Sequence, residues 1–241
     1  MTTPLTLVAL HYWAGSGRAF APLAPHLASY AMLAPDLNGF GEAPPKPDYS
    51  VDAYADQIAE LVAAHGLRRY VLLGHSMGGK IALALAARQP AGLAGVALLS
   101  PSPPTPEPME EADRHAALQA HGQAAAAETT FRKITARAVS EAMRRQIVAD
   151  NLRSSPSAWA AWLQHGSRED LRARMPRVQV SCLLLAGEAD EVLPPAVHRA
   201  QTLPLLPSGT KLHLISGAGH MLPYEAPEAV AAQLRYFCQQ L

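Results

Sequence analysis

The chain has 241 residues, enough for one large domain, and its 20 basic and 20 acidic side chains give a formal net charge of zero. That balance gives no reason to expect a nucleic-acid partner. No stretch approaches the roughly 20 consecutive apolar residues that cross a bilayer, and the N-terminal residues lack the charged and apolar regions of a signal peptide. The sequence therefore predicts a soluble cytoplasmic protein without a membrane partner, and it leaves the oligomeric state open.

The two cysteines lie far apart in the sequence, Cys182 in an apolar run and Cys238 near the C-terminus. Both resemble small buried hydrophobic residues, which favours a reducing compartment. Although the chain has 10 histidines, it lacks a His-Glu-x-x-His motif, and two cysteines cannot form the familiar zinc frameworks. We therefore expect neither a metal site nor a cofactor.

Short apolar runs alternate with helical patterns along the chain. The apolar runs predict strands at Leu5–Leu10, Ala31–Ala34, Tyr70–Leu73, Leu93–Leu99, Cys182–Leu185 and Leu212–Ile215. The helical patterns predict helices at about Val51–His65, Met77–Gln89, Val197–Thr202 and Pro227–Gln240. This alternation is typical of a mainly parallel sheet with helices on both faces.

The loop after the first predicted strand reads His11-Tyr12-Trp13-Ala14-Gly15-Ser16-Gly17. Its Gly-x-Gly could begin a dinucleotide-binding fingerprint, but Phe20 stands where the third glycine of G-x-G-x-x-G is required. The aromatic rings of Tyr12 and Trp13 either pack over the edge of the sheet or line a pocket. The sequence favours neither role for these rings.

The third predicted strand runs into Gly74-His75-Ser76-Met77-Gly78, and an alanine- and leucine-rich helical pattern follows. A G-x-S-x-G pattern between a strand and a helix is typical of a nucleophile elbow, although a plain glycine-rich loop can share it. In such an elbow the glycines permit a tight turn that exposes the serine hydroxyl. A serine nucleophile also needs a base and a third group that orients the base. His75 is predicted to pack within the elbow rather than to act as that base.

About sixty residues after the proline-rich stretch 101–108 carry no strand signal, and their alanine, arginine and glutamate content predicts several helices. Trp159 and Trp162 share one face of a predicted helix, and Phe131 and Met143 are other bulky residues of this segment. These side chains either pack against the rest of the protein or contact a substrate, and packing is the favoured interpretation.

The last two predicted strands each lead into a polar loop. Glu188-Ala189-Asp190-Glu191 follows the fifth strand, and Gly217-Ala218-Gly219-His220 follows the sixth. An acid and then a histidine, each after a strand and both after the serine, is the chain order that a G-x-S-x-G nucleophile requires.

With these motifs in this order, the chain resembles the α/β-hydrolase family over nearly its whole length. The resemblance implies Ser76 as the nucleophile, His220 as the general base and then acid, and Asp190 as the group that orients the imidazole. Two other carboxylates, Glu188 and Glu191, flank Asp190. The family pattern G-x-x-D-x-[IVL]-x-P falls on Asp190, which is therefore the favoured acid.

The resemblance also implies an oxyanion hole formed by the backbone N–H groups of Met77 and Trp13. Tyr12 stands where the family commonly has glycine, and a bulky residue does not readily take a positive φ. The resemblance further implies that residues 1–100 and 177–241 form the core domain and that residues 101–176 form a helical cap over the serine. Candidate substrate contacts are Tyr12, Trp159 and Trp162.

The expected activity is that of a serine hydrolase that cleaves a small or medium carboxylic ester through an acyl-enzyme, with a small-molecule acyl substrate. One alternative is a carbon–carbon bond hydrolase or lyase-type relative, in which Arg132, Lys133 or Arg137 would hold a substrate carboxylate. Another alternative is a ligand receptor or scaffold that uses the same fold without turnover.

Overall fold

The computed structural model describes residues 4–241. Residues 1–3, which begin the N-terminal stretch without signal-peptide features, lie outside the described residues. One sheet with strand order β2-β1-β3-β4-β5-β6 forms the centre of the molecule, and all neighbouring strands in it are parallel. Its strands are β1 (Thr6–Leu10), β2 (Ala31–Leu33), β3 (Tyr70–His75), β4 (Leu93–Leu99), β5 (Ser181–Gly187) and β6 (Leu212–Ile215). Each of the predicted strands is present.

The central strands divide their side chains between two hydrophobic clusters. Leu72 and Val96 belong to one cluster, which includes buried residues of the helices after β2 and β3. Their neighbours Val71 and Ala97 belong to the other cluster, which includes buried residues of the C-terminal helix. Because successive side chains of a strand point to opposite faces, both faces of the sheet are covered. The predicted fold class, a parallel sheet between helices, is confirmed.

The helices follow the predicted pattern in most places. They are α1 (Val51–Ala64), α2 (Met77–Ala86), α3 (Glu111–Gln119), α4 (Ala124–Ile134), α5 (Glu141–Arg153), α6 (Pro156–Gln164), α7 (Pro195–Val197), α8 (Leu222–Glu225) and α9 (Pro227–Gln239). Helix α1 begins where expected because the Ser50 hydroxyl accepts a hydrogen bond from the N–H of Ala53 at 3.1 Å.

Three helical regions differ from the prediction, and one of them is the four-residue helix α8, which lies just before the predicted C-terminal helix. The predicted helix at Val197–Thr202 is a π-helical turn at His198–Thr202 between α7 and a short 3₁₀ segment, Leu203–Leu205. A further 3₁₀ helix at Gly17–His26 was not predicted. It contains Pro22 and Pro25, which lack the N–H groups that a regular α-helix uses, so this segment carries no α-helical signal. Other short 3₁₀ segments are Gly166–Arg168 and Arg172–Arg177.

Helices α3 to α6 lie in the chain between β4 and β5, and we call residues 101–176 the insert. Within the insert, α4 packs against α5 and α3 packs against α6. Among residues 4–241, every helix is too short or too polar to reach across a bilayer.

Candidate active site

The turn between β3 and α2 holds Ser76 in a strained backbone conformation. Its φ is 52° and its ψ is −117°, a region that costs a non-glycine residue about 1 to 3 kcal/mol. The glycines around it permit the turn, because a β-carbon at Gly78 would lie 2.1 Å from the Leu10 carbonyl oxygen and one at Gly74 would lie 2.5 Å from the Gly78 carbonyl oxygen. The predicted elbow glycines therefore have a steric reason at both positions.

The loops after β5 and β6 bring Asp190 and His220 together. The Nδ1 atom of His220 lies 2.8 Å from Oδ2 of Asp190, although the two residues are 30 positions apart in the chain. Because a carboxylate only accepts hydrogen bonds, the proton of a neutral His220 lies on Nδ1. Its Nε2 is then free to accept a proton.

The Asp190 carboxylate is held on both oxygens. Its Oδ1 atom accepts hydrogen bonds from the backbone N–H groups of Val192 at 2.9 Å and Leu193 at 3.0 Å. Burial alone would raise the pKa of Asp190, but the charge and hydrogen bond of His220, together with the backbone N–H of Leu193, lower it to about 2. The group is therefore an anion across the working pH range.

The neighbouring carboxylates have other partners. Glu188 accepts hydrogen bonds from the Ser216 hydroxyl at 2.8 Å and from the Gly217 N–H at 3.0 Å, so it stabilises the turn that precedes the histidine loop. Glu191 is exposed. Neither residue contacts the His220 ring by a hydrogen bond, whereas Asp190 does.

His75 lies beside the catalytic candidates without sharing their role. Its ring centroid is 5.3 Å from that of His220, and its Nε2 donates to the His220 backbone carbonyl at 2.8 Å. Burial, followed by the charge of His220, lowers the pKa of His75 to about 3. With a pKa this low, His75 is too weak a base to take a proton from a serine near neutral pH, and its contact with the His220 carbonyl helps to position the loop of His220.

The loop after β1 accommodates Tyr12 without a positive φ at that residue. The positive φ of this loop, 62°, falls on Ala14. The Tyr12 ring lies over Gly15, where a β-carbon would be 2.6 Å from the ring. His11 fixes the start of the loop, because its Nε2 accepts from the Leu37 N–H at 3.0 Å and its Nδ1 lies 2.8 Å from the Tyr12 carbonyl oxygen.

The two predicted oxyanion donors belong to the elbow and to the loop after β1. Met77 is the first residue of α2, so its backbone N–H has no partner within the helix. Trp13 and Ser76 line the same cavity. The positive end of the α2 dipole adds to the attraction for an anion near Met77.

A buried carboxylate that the sequence analysis missed ties the loop after β1 to the insert. Asp150 of α5 is fully buried and accepts hydrogen bonds from the Ser16 hydroxyl at 2.6 Å and from Arg18 at 2.5 Å. Arg153 donates to the same carboxylate at 2.7 Å. Asp150 is therefore a candidate for holding this loop in place.

A second missed carboxylate, Glu225 of α8, holds the loop of His220. It accepts hydrogen bonds from four backbone N–H groups at 2.7 to 2.9 Å. Two of these donors, Gly219 and Met221, flank the histidine, and the other two, Ala136 and Arg137, belong to the insert. The conformation of the histidine loop thus depends on contacts with the insert.

Lys80 is a buried cation in α2. Its ammonium group donates to the backbone carbonyls of Thr105 at 3.1 Å, Gly166 at 3.5 Å, Ser167 at 3.4 Å and Glu169 at 2.8 Å. Burial lowers the pKa of this lysine to about 8. These carbonyls belong to both ends of the insert, so Lys80 fastens the insert to the helix that begins at the elbow.

Ser76 and His220 share a cavity of about 190 Å³ that the insert covers. Its apolar lining from the insert comprises Met109, Ala117, Ala127, Phe131, Ile134, Ile147 and Trp162. Its polar lining from the insert comprises Glu107, Asp113, Thr130, Lys133 and Asn151. A small, mostly apolar cavity over a serine suits a compact organic substrate.

The other candidate substrate contacts divide between the cavity wall and the layer behind it. Tyr12 and Trp162 line the cavity. Trp159 lies behind it, with its ring centroid 4.1 Å from that of Trp13 and its indole N–H donating to the Ala117 carbonyl at 3.0 Å. Trp159 therefore packs against the loop after β1 and does not line the cavity, and Met143 packs against the core.

Of the three basic residues considered for a substrate carboxylate, Lys133 lines the cavity. Arg132 is exposed and donates to the Thr129 hydroxyl at 3.1 Å. Arg137 donates to the carbonyls of Ser216 and Glu225, so it supports the histidine loop from outside the cavity.

The model of the alpha/beta hydrolase fold family matches residues 6–133, just over half of the chain. The chain belongs to the α/β-hydrolase family. The matched part of this α/β hydrolase contains the loop after β1 and the elbow at Ser76. The resemblance inferred from the motifs is thus confirmed.

Relatives of this α/β hydrolase have different named activities. It is 26% identical to a 2-succinyl-6-hydroxy-2,4-cyclohexadiene-1-carboxylate synthase of Escherichia coli O1:K1 / APEC, over 95% of this chain and 91% of that protein. It is 35% identical to Lipase LipV of Mycobacterium tuberculosis over 99 residues, which are 41% of this chain and 38% of the lipase. A thermophilic esterase from Thermogutta terrifontis superimposes with a TM-score of 0.82 at 25% identity, covering 100% of this chain and 91% of that chain.

Proposed function

We propose that this α/β hydrolase is a serine hydrolase that cleaves a small or medium carboxylic ester through an acyl-enzyme. The observation that carries the proposal is the pairing of His220 with Asp190 at 2.8 Å beside a cavity that Ser76 also lines. A strained serine, a correctly protonated imidazole and a buried carboxylate are the parts that nucleophilic acyl transfer requires. The lipase and esterase among its relatives support the choice of an ester as substrate.

In the proposed reaction, the Ser76 hydroxyl attacks the ester carbonyl while Nε2 of His220 takes its proton. The carbonyl oxygen gains negative charge and accepts hydrogen bonds from the backbone N–H groups of Met77 and Trp13. His220 then returns the proton to the leaving alcohol. A water molecule, deprotonated by His220, attacks the acyl-enzyme, and the carboxylic acid leaves as Ser76 regains its proton.

The insert acts in this proposal as the cap. It covers the serine, excludes water from the reacting ester and supplies most of the substrate cavity. The proposed domain division places the core in residues 1–100 and 177–241 and the cap in residues 101–176. Tyr12 and Trp162 are proposed to contact the substrate directly, and Trp159 to support the loop that carries Trp13.

The pH dependence of kcat/KM should report the protonation of His220. Burial would lower the pKa of this imidazole, but the charge and hydrogen bond of Asp190 raise it above the ordinary value of 6.5. Since the base must be neutral, kcat/KM should rise with pH through a midpoint above about 6.5. His220→Gln should remove this limb along with most of the activity. A variant that keeps the wild-type rate and profile would show that another group is the base.

The size of the cavity predicts a preference for short acyl chains. On p-nitrophenyl esters of graded length, kcat/KM should peak at short chains and fall for long ones, because a cavity of about 190 Å³ leaves little room for a long alkyl chain. Trp162→Ala should shift the optimum to longer chains, whereas Trp159→Ala should change it less. A preference for long-chain esters with activation at an oil–water interface would contradict the proposed cap.

A lyase-type reaction is the second candidate, because the synthase named above matches this chain over nearly its whole length. In that case Lys133, on the cavity wall, would hold a substrate carboxylate. An aromatic dienoate assayed beside the esters distinguishes the two candidates. Faster turnover of the dienoate than of any short ester would favour the carbon–carbon bond reaction.

A further inference from the structure

We infer that Glu107 is a specificity-determining residue, whose carboxyl in the cavity wall selects against esters that carry a carboxylate and in favour of neutral and cationic ones. The inference rests on the proposed ester hydrolysis at Ser76 and names its substrate class. Glu107 belongs to none of the motifs that led to the site.

The backbone around Glu107 fixes this residue at the cavity. Its N–H donates to the Ser167 carbonyl at 2.8 Å, and its own carbonyl accepts from the Met109 N–H at 2.8 Å. Glu107 is partly buried, and it lines the cavity together with Ser76 and His220. A bound ester must therefore lie beside this residue.

The other charged residues contributed by the insert lie further towards solvent. Asp113 of α3 and Lys133 of α4 also line the cavity, but both are exposed. Water and salt screen exposed charges much more than buried ones. A substrate charge near Ser76 should therefore respond to Glu107 more strongly than to either exposed residue.

The surroundings of Glu107 do not offer a compensating cation to the substrate. Lys80 is close enough for its charge to oppose the rise that burial produces in the pKa of Glu107. However, its ammonium group is directed at backbone carbonyls, and Lys80 is not among the residues that line the cavity. A substrate carboxylate would meet the Glu107 carboxyl without a direct contact to the ammonium group.

The charge of Glu107 also reaches the reacting centre. Burial lowers the pKa of His220, and Asp190 has the largest raising effect. The charge of Glu107 raises this pKa further. Since the rest of the wall near the serine is mainly apolar, an anionic substrate would lose its hydration there, and the cation that lines the cavity, Lys133, is exposed and therefore compensates weakly. A cationic or hydrogen-bond-donating group would gain a partner.

Two matched series of esters test this inference, one with the charge on the alcohol part and one with the charge on the acyl part, so that each part of the ester is tested beside Glu107. The first series is phenyl butyrate with a carboxylate, a tert-butyl or a trimethylammonium group at the meta position. The second is the nitrophenyl ester of hexanoic acid with a terminal carboxylate, tert-butyl or trimethylammonium group. Each series changes the charge at nearly constant size.

In at least one series, wild-type kcat/KM should be higher for the cationic than for the anionic ester by about tenfold or more, as expected for charges a few ångströms apart at partly buried sites. Glu107→Gln should reduce that cation-to-anion ratio by about tenfold, since the amide keeps the shape and removes the charge. Glu110→Gln is the matched control, because Glu110 is exposed and lies outside the cavity. It should leave the ratio unchanged.

Equal wild-type rates for cationic and anionic esters in both series would overturn the inference, whether or not the Glu107 variant folds. A ratio that Glu107→Gln does not alter, in a variant that still reacts with fluorophosphonate, would overturn it as well. If the neutral esters are hydrolysed in a Ser76-dependent manner in these cases, the proposed function stands and only the role of Glu107 is wrong. If no ester in either series is hydrolysed, the proposed function and the inference both fail.

Discussion

Ser76→Ala is expected to reduce kcat for short esters by roughly 10³-fold or more and to abolish labelling by fluorophosphonate, while the fold is retained. The reaction needs the hydroxyl oxygen as its nucleophile, and alanine removes that atom alone. The backbone strain at φ 52° is the same for alanine as for serine, so the elbow should keep its shape. Steady-state kinetics and gel-based labelling measure the loss, and circular dichroism checks the fold.

Ser208→Ala is a suitable control for this experiment, because Ser208 is an exposed serine in the connection between β5 and β6. It should react with fluorophosphonate at the wild-type rate. Labelling that persists in Ser76→Ala would remove Ser76 from the mechanism, and with it the proposed acyl-enzyme.

Asp190→Asn is expected to reduce kcat on the order of 10⁴-fold if these residues act as a catalytic triad. The structure gives a specific reason. The backbone N–H groups of Val192 and Leu193 require an acceptor at the Oδ1 position, so the amide oxygen should occupy it. The amide NH₂ then faces Nδ1 of His220, which must accept a hydrogen bond and carry its proton on Nε2. An Nε2 that already carries a proton cannot take one from Ser76.

The same substitution should move the pH midpoint of the residual activity downwards, because the negative charge that raises the pKa of His220 is lost. Glu188→Gln and Glu191→Gln are the controls at the flanking carboxylates, and both should have mild effects on kcat. Greater damage from Glu188→Gln than from Asp190→Asn would mean that the acid has been misassigned.

Most of the sheet could be predicted from the sequence because its central strands β1, β3, β4 and β5 are buried on both faces and therefore appear as continuous apolar runs. The elbow could be predicted for a similar reason, since its glycines satisfy local steric requirements within a few residues. His220 and Asp190 each follow a strand that ends at the same edge of the sheet. Their juxtaposition follows from the parallel topology, so the motif order was sufficient to suggest it.

Asp150 and Glu225 could not be predicted in the same way. Asp150 is an acidic residue in a helical pattern and Glu225 lies just before one, and at both places a solvated carboxylate is the ordinary expectation. Their partners lie up to 134 positions away, and they are mostly backbone N–H groups or common polar side chains that leave no periodic signal. Lys80 does carry a weak sequence signal, since a lysine in an otherwise apolar stretch such as α2 is unusual. The positive φ of the loop after β1 lies at Ala14 and not at Tyr12, where the family commonly has glycine. This arrangement depends on how the Tyr12 ring packs over Gly15, which a sequence pattern does not encode.

The hydrogen bonds of Glu225 limit how this enzyme can be redesigned by segment exchange. One carboxylate joins the loop of His220 to Ala136 and Arg137, and the His220 N–H donates to the Ile134 carbonyl at 3.1 Å. A chimera that replaces residues 101–176 with the corresponding segment of a homologue would therefore disturb the support of the proposed base unless the new backbone followed the same path at residues 134–137. Specificity grafts should keep residues 134–137 native and vary α3 and the first half of α4, where side chains reach the cavity without holding the histidine.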